Sequence, residues 1–212
     1  MITSVGIVNA SGNAVQNPLP PSWINHSNAP STPQSWVPAI NVLSFVQLKL
    51  LAAQIAYDKS LWDNTKIGTE NQLGRYQTAP ALLETYGLLA PGSVAEYGTD
   101  AVNYLHCWMP AYQRKSASSY INYMFNITSL RNFLTNLSAQ DQLEYQIISD
   151  THTSLTKNLA IKNTDSAEIV AGMIYVGLDL GADDAYTWRY QGTGNGANAY
   201  NSGRYAVTVL TF

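Results

Sequence analysis

From Asn41 onward the apolar positions return every three or four residues, the period of a helix. Leu43, Val46, Leu50 and Ala53 form one stripe, with Phe45, Leu48, Ala52 and Ile55 beside it. So broad an apolar face predicts a nearly buried helix, capped by Asn41 and running toward Asp58. Thr78, with Pro80 in the first turn and Gly87 near the end, predicts a second helix. Weaker helical patterns fall at 93–106, 117–126 and 128–136. Ser138 opens the longest pattern, with Leu143, Ile147, Thr151, Leu155 and Leu159 at spacing four. Asp165 and Glu168 open another, continued by Ile169, Met173, Val176 and Leu180 and stopped by Gly181. Gly192 to Gly203 is rich in Gly and Asn and reads as a loop before a last segment, Arg204 to Phe212. The polar run around Glu70 leaves room for a small β-hairpin. There are no internal repeats. The fold class is therefore mainly α.

Residues 1–40 break this pattern. They hold Pro18, Pro20, Pro21, Pro30, Pro33 and Pro38, and no Lys, Arg, Asp or Glu. Proline fixes extended backbone and forbids a helix. Trp23 and Trp36, with Ile2, Val5, Ile7 and Val8, are anchors that flexible linkers seldom carry. The segment reads as an extended arm that docks on its own domain or on a neighbouring subunit; a disordered tail is the alternative. The chain thus divides into an arm, 1–40, and a helical domain, 41–212.

Composition narrows the function classes. Of 212 residues, 46% are hydrophobic and only 12% charged. An average domain is about one quarter charged, so Asn, Gln, Ser, Thr and Tyr must cover this surface. Such a surface suits faces buried in an assembly. A net charge of −3 offers no field for nucleic acid or an anionic membrane. Fourteen tyrosines and five tryptophans supply stacking surface for sugars or protein interfaces. The single cysteine, Cys107, excludes an internal disulfide and reads as a buried, inert thiol. The three histidines show no metal spacing, and no metal or cofactor is expected. No apolar run is long enough to span a membrane, and Met1-Ile2-Thr3-Ser4 does not begin a signal peptide.

One segment points at a substrate: Gly68-Thr69-Glu70-Asn71-Gln72-Leu73-Gly74-Arg75-Tyr76-Gln77, between the helix ending near Tyr57-Asp58 and the helix from Thr78. Its order is helix, polar acidic loop, Gly-Arg-Tyr-Gln, helix. It resembles the active-site segment of lysozyme-like, transglycosylase-like domains carried in phage tails and baseplates. Ala171-Gly172-Met173-Ile174-Tyr175, Leu180-Gly181-Ala182, Ala185-Tyr186-Thr187-Trp188 and Tyr200-Asn201-Ser202-Gly203-Arg204-Tyr205 look like the closing helices of the same domains. The resemblance covers about residues 42–210. It implies a lysozyme-like fold, a place in the virion tail or baseplate, other tail proteins bound through residues 1–40, and host peptidoglycan as substrate.

In that family a glutamate ends the first core helix and protonates the glycosidic oxygen, so its pKa must be raised. This chain has Asp58 at that position, one methylene shorter, with Lys59 beside it to favour its ionised form. The alternative for Asp58 is a helix-end residue bonding nearby backbone amides. Glu70, or Asp63, is the candidate second carboxylate; for Glu70 the alternative is a solvated loop charge. Tyr57, Tyr76 and Gln77 are the candidate sugar contacts. Three functions stay open: a muramidase or lytic transglycosylase, a virion scaffold that kept the fold and lost the reaction, and a module that binds glycan without cutting it.

Overall fold

A computed structural model describes residues 37–110, 126–191 and 196–208. The proposed arm up to Trp36, and the helix expected at 117–126 save its last residue, lie outside them. The described chain is mainly helical: α1 Phe45–Ser60, α2 Pro80–Thr85, α3 Ser93–Tyr97, α4 Leu130–Thr135, α5 Leu137–Lys157, α6 Ala167–Leu180, α7 Ala182–Gln191 and α8 Ala197–Thr208. Among the described residues β pairing is confined to isolated bridges, including Ile67–Leu73 and Leu73–Thr78. The Glu70 region is therefore a bridged turn, short of a hairpin of two strands.

Local chemistry moved several boundaries. Asn41 does not cap α1. Ser44 does: its hydroxyl accepts from the Gln47 amide at 3.2 Å, and the Gln47 side chain accepts from the Ser44 amide at 2.9 Å. This reciprocal pair satisfies two helix-end donors at once. Asn136 caps α5 in place of Ser138, accepting from the Ala139 amide at 3.0 Å. The helix expected over 93–106 stops at Tyr97, because Gly98 adopts a φ of 60°. Two 3-10 turns, Gly98–Asn103 and Leu105–Cys107, follow. The side chain of Glu84 accepts from the amides of Gly92 and Val94 at 2.8 and 2.7 Å, supplying the cap that α3 lacks.

The chain forms two compact units. In the first, residues 38–54, 146–191 and 196–208 are described. Here α6 is buried without a break from Val170 to Gly177, so it forms the hydrophobic centre of its unit. Helices α7 and α8 pack on it. The Gly- and Asn-rich stretch expected to be a loop through Gly203 is helical from Ala197. Packing explains the correction. A Cβ on Gly203 would sit 2.4 Å from the Ala171 carbonyl oxygen, and one on Gly172 would sit 2.6 Å from the Tyr200 ring. These glycines let two helices approach closely, and the burial gained outweighs their poor helix propensity. Arg189 of α7 pairs with both carboxylate oxygens of Asp165, at 2.6 and 2.8 Å, and also donates to the Ala160 carbonyl.

In the second unit, residues 55–110 and 126–145 are described beside Val37. Leu73, Leu83, Leu88, Leu89 and Phe133 have no exposed surface. The Trp108 ring lies 6.2 Å from that of Phe133 and its indole N–H donates to the Val102 carbonyl at 2.9 Å. Cys107 is buried and carries a free thiol. No described helix is long and apolar enough to cross a membrane.

Candidate functional site

The Gly-Arg-Tyr-Gln segment lies wholly in the second unit, and its neighbours are set by how α1 ends. Leu61 and Trp62 both take left-handed backbone, with φ of 56° and 63°. Their amides return to the carbonyls of Tyr57 and Ala56 at 2.9 and 3.2 Å. This closes the helix in the manner glycine usually allows, here at the strain of two side-chain-bearing residues. Tyr57 is half-buried and its ring lies 4.8 Å from that of Trp62. Asp58 is exposed at this helix end.

The following loop is stitched by main-chain bonds. The Gly68 amide donates to Gln72, and Leu73 and Thr78 exchange a pair of bonds, each of 2.9 Å. Asp63 accepts from both the amide and the hydroxyl of Thr65, at 2.8 and 2.7 Å. Those bonds hold its carboxyl below the usual range. Glu70 is exposed, and its carboxylate accepts from the Gln72 side chain at 3.2 Å. Gln77 donates to its own loop, to the Gly74 carbonyl at 2.8 Å and to that of Lys66 at 3.3 Å.

Arg75 and Tyr76 are buried, and both point at α5. The Tyr76 hydroxyl donates to Asp141 at 2.8 Å, and the Arg75 guanidinium meets the same carboxylate oxygen at 3.2 Å. The Arg75 amide donates to the side-chain carbonyl of Gln140 at 2.9 Å, and the Arg75 carbonyl accepts from the Ser60 hydroxyl at 2.7 Å. Gln140 spans further, donating to the carbonyls of Phe133 and Asn64 at 2.9 and 3.1 Å. Gly74 is obligatory here: its φ is 73°, and a Cβ would fall 2.2 Å from the Gln140 side-chain oxygen. Burial pushes the Tyr76 phenol well above its ordinary value, and the Asp141 charge adds to this. The block is a clasp that fastens the loop to α5.

One turn beyond Asp141 on α5 stands Glu144, only 5% exposed. Burial pushes its carboxyl up to about 8; Asp141 adds to the rise and Lys59 opposes it. Glu144 thus keeps its proton at neutral pH. Tyr145 is buried with its hydroxyl unpaired, and so is the side-chain amide of Gln142. Among the candidates, Tyr76 joins this buried polar cluster, while Asp58 and Glu70 lie on the surface. Gln140, Asp141 and Glu144 were not among the residues singled out from sequence. The pattern that could have raised them is Asp141 and Glu144 at helical spacing on the helix beginning near Ser138.

Among the described residues no group of three His, Cys, Asp or Glu side chains could hold a metal ion. No family model, no curated protein and no solved structure matches this chain.

Proposed function

We propose that this chain is a structural subunit of a phage tail or baseplate, built on a lysozyme-like helical domain whose Gly-Arg-Tyr-Gln block clasps the fold and does not cut glycan. The resemblance supplies the virion setting, and the uncharged arm and sparsely charged surface agree with it. The observation that carries the rest is the burial of Arg75 and Tyr76 against Asp141. Polar groups committed to each other inside a core are not free to bind sugar, and removing one leaves its partner stranded at high cost. Asp58 and Glu70 lie on the surface, without an apolar wall around them. Other tail proteins are the partners on this reading, and host peptidoglycan is a surface met during infection.

A second reading has its own support. Glu144 holds a proton at neutral pH, as the acid of a muramidase or transglycosylase must. Muropeptide release from purified peptidoglycan separates the two, using the full chain and the variants Asp58→Asn, Glu70→Gln and Glu144→Gln. No release from a folded full chain supports the scaffold. Release abolished in Glu144→Gln alone supports the hydrolase working through that residue. Release abolished in Asp58→Asn or Glu70→Gln overturns the clasp reading in favour of a surface catalytic pair.

A further inference from the structure

The second unit carries a cavity of about 540 Å³ that the clasp does not use. Val102, Leu105, Trp108, Leu130 and Leu134 give it an apolar lining, and Arg131 and Asn103 add polar groups. Three rings cluster beside it. Tyr97 lies 4.8 Å from Tyr104 and 5.3 Å from His106, and Tyr104 lies 5.7 Å from His106. Asn103, Leu105 and Trp108 line the cavity, while Tyr104 and His106, between them in the chain, join the ring cluster. This apolar surface is open to solvent, for Leu105 is 73% and Tyr104 43% exposed.

A ridge of aromatic faces beside an apolar slot is the chemistry that recognises a polyproline II segment. Proline rings pack on aromatic faces, and the segment loses little entropy because it is already extended. Its carbonyls make no bonds of their own and need donors. Arg131 is exposed and makes no ion pair among the described residues, and a guanidinium carries five N–H donors. The chain itself contains a matching ligand: Pro18-Leu19-Pro20-Pro21-Ser22-Trp23, within an arm free of charged side chains. Trp23 offers a large apolar side chain for the slot. From Trp23 to Val37 the chain can extend about 45 Å, enough to carry this hexapeptide to a neighbouring molecule.

We propose that this groove receives residues 18–23 of a second copy of the chain, so that arm and groove link subunits head to tail. The inference rests on the subunit reading above and names its contact. A heterologous contact of this kind builds rings or filaments, and weak single contacts gain strength when many are made together.

The test is sedimentation velocity of the full chain over the micromolar range, with Tyr104→Ala on the aromatic ridge beside the slot and Trp23→Ala in the arm. The full chain is expected to associate with rising concentration, and each variant to weaken association at least tenfold, as loss of a central aromatic anchor does. A mixture of the two variants is the decisive arm. It retains one sound groove and one sound hexapeptide, so it should form dimers and stop there. That result also shows both variants are folded. A full chain that stays monomeric throughout, association unchanged in both variants, or a mixture that does not recover dimers would each overturn the proposal. So would a groove that binds chitooligosaccharide or an acidic peptide equally well in the full chain and in Trp23→Ala, since the arm would then not be its occupant. None of these results depends on muropeptide release, so the proposal can fail while the scaffold reading stands.

Discussion

Replacing Glu144 by Gln should flatten the chain's stability between pH 6.5 and 8.5. The folded-state pKa is raised from 4.5 to about 8. A carboxyl with a raised pKa stabilises the fold fully below its unfolded value and loses that contribution as pH rises through the folded one. At about 1.4 kcal/mol per unit, the whole span is worth on the order of 4–5 kcal/mol, of which roughly 2 kcal/mol falls between pH 6.5 and 8. The side chain is almost wholly buried, so solvent screening removes little of this. The choice of window matters. Half-buried His152 has a folded pKa lowered by burial from 6.5, so it destabilises the fold as pH falls below that value, with the opposite slope. Thermal unfolding of the full chain should show Tm falling by roughly 4–8 °C from pH 6.5 to 8, by the usual 2–4 °C per kcal/mol at this size. Glu144→Gln keeps the volume and the neutral state, so its Tm should barely move over that window and exceed that of the unaltered chain at pH 8. A Tm of the unaltered chain that is flat or rises there, or a slope that survives in Glu144→Gln, would refute the reasoning.

Three further outcomes follow from the packing. Tyr76→Phe removes the hydroxyl that donates to buried Asp141 and should cost about 1.5–3 kcal/mol in denaturant unfolding. Gly203→Ala places a methyl against the Ala171 carbonyl and should cost about 1–3 kcal/mol by overpacking, with a lowered Tm. The Asp165 carboxyl is lowered from 3.8, first by its bond to Arg189, so its contribution is present above that value and lost as pH falls through the folded one; Arg189→Gln should therefore flatten acid unfolding below about pH 4, followed by circular dichroism.

Helices α1, α5 and α6 were legible because their apolar residues recur at the helical period, and the mainly α class follows from that alone. Their ends were less legible, because capping is a contest among neighbouring polar residues. Ser44 wins over Asn41 because Gln47 can return its bond, and Asn136 wins over Ser138 for a place one turn before Ala139. The last helix was hidden for a different reason. Gly203 lowers local propensity, and its value appears only when α6 lies against it, a contact with Ala171, thirty-two residues earlier in sequence. The site shows the same limit more sharply. The Gly-Arg-Tyr-Gln block stands out in the sequence, but its direction does not. Charged and polar side chains normally face water, so nothing in the sequence marks Gln140, Asp141 and Glu144 as interior, although Gln140 and Glu144 share the helical stripe of Leu143 and Ile147. In the fold every residue from Ala139 to Tyr145 is buried. Arg75, sixty-six residues earlier than Asp141, supplies a charge that makes burying Asp141 tolerable. Glu144, one turn on, is then carried into the same interior without a cation of equal strength, and it holds its proton instead. A carboxyl held neutral by burial is a property of the assembled cluster, and no one segment of the sequence contains it.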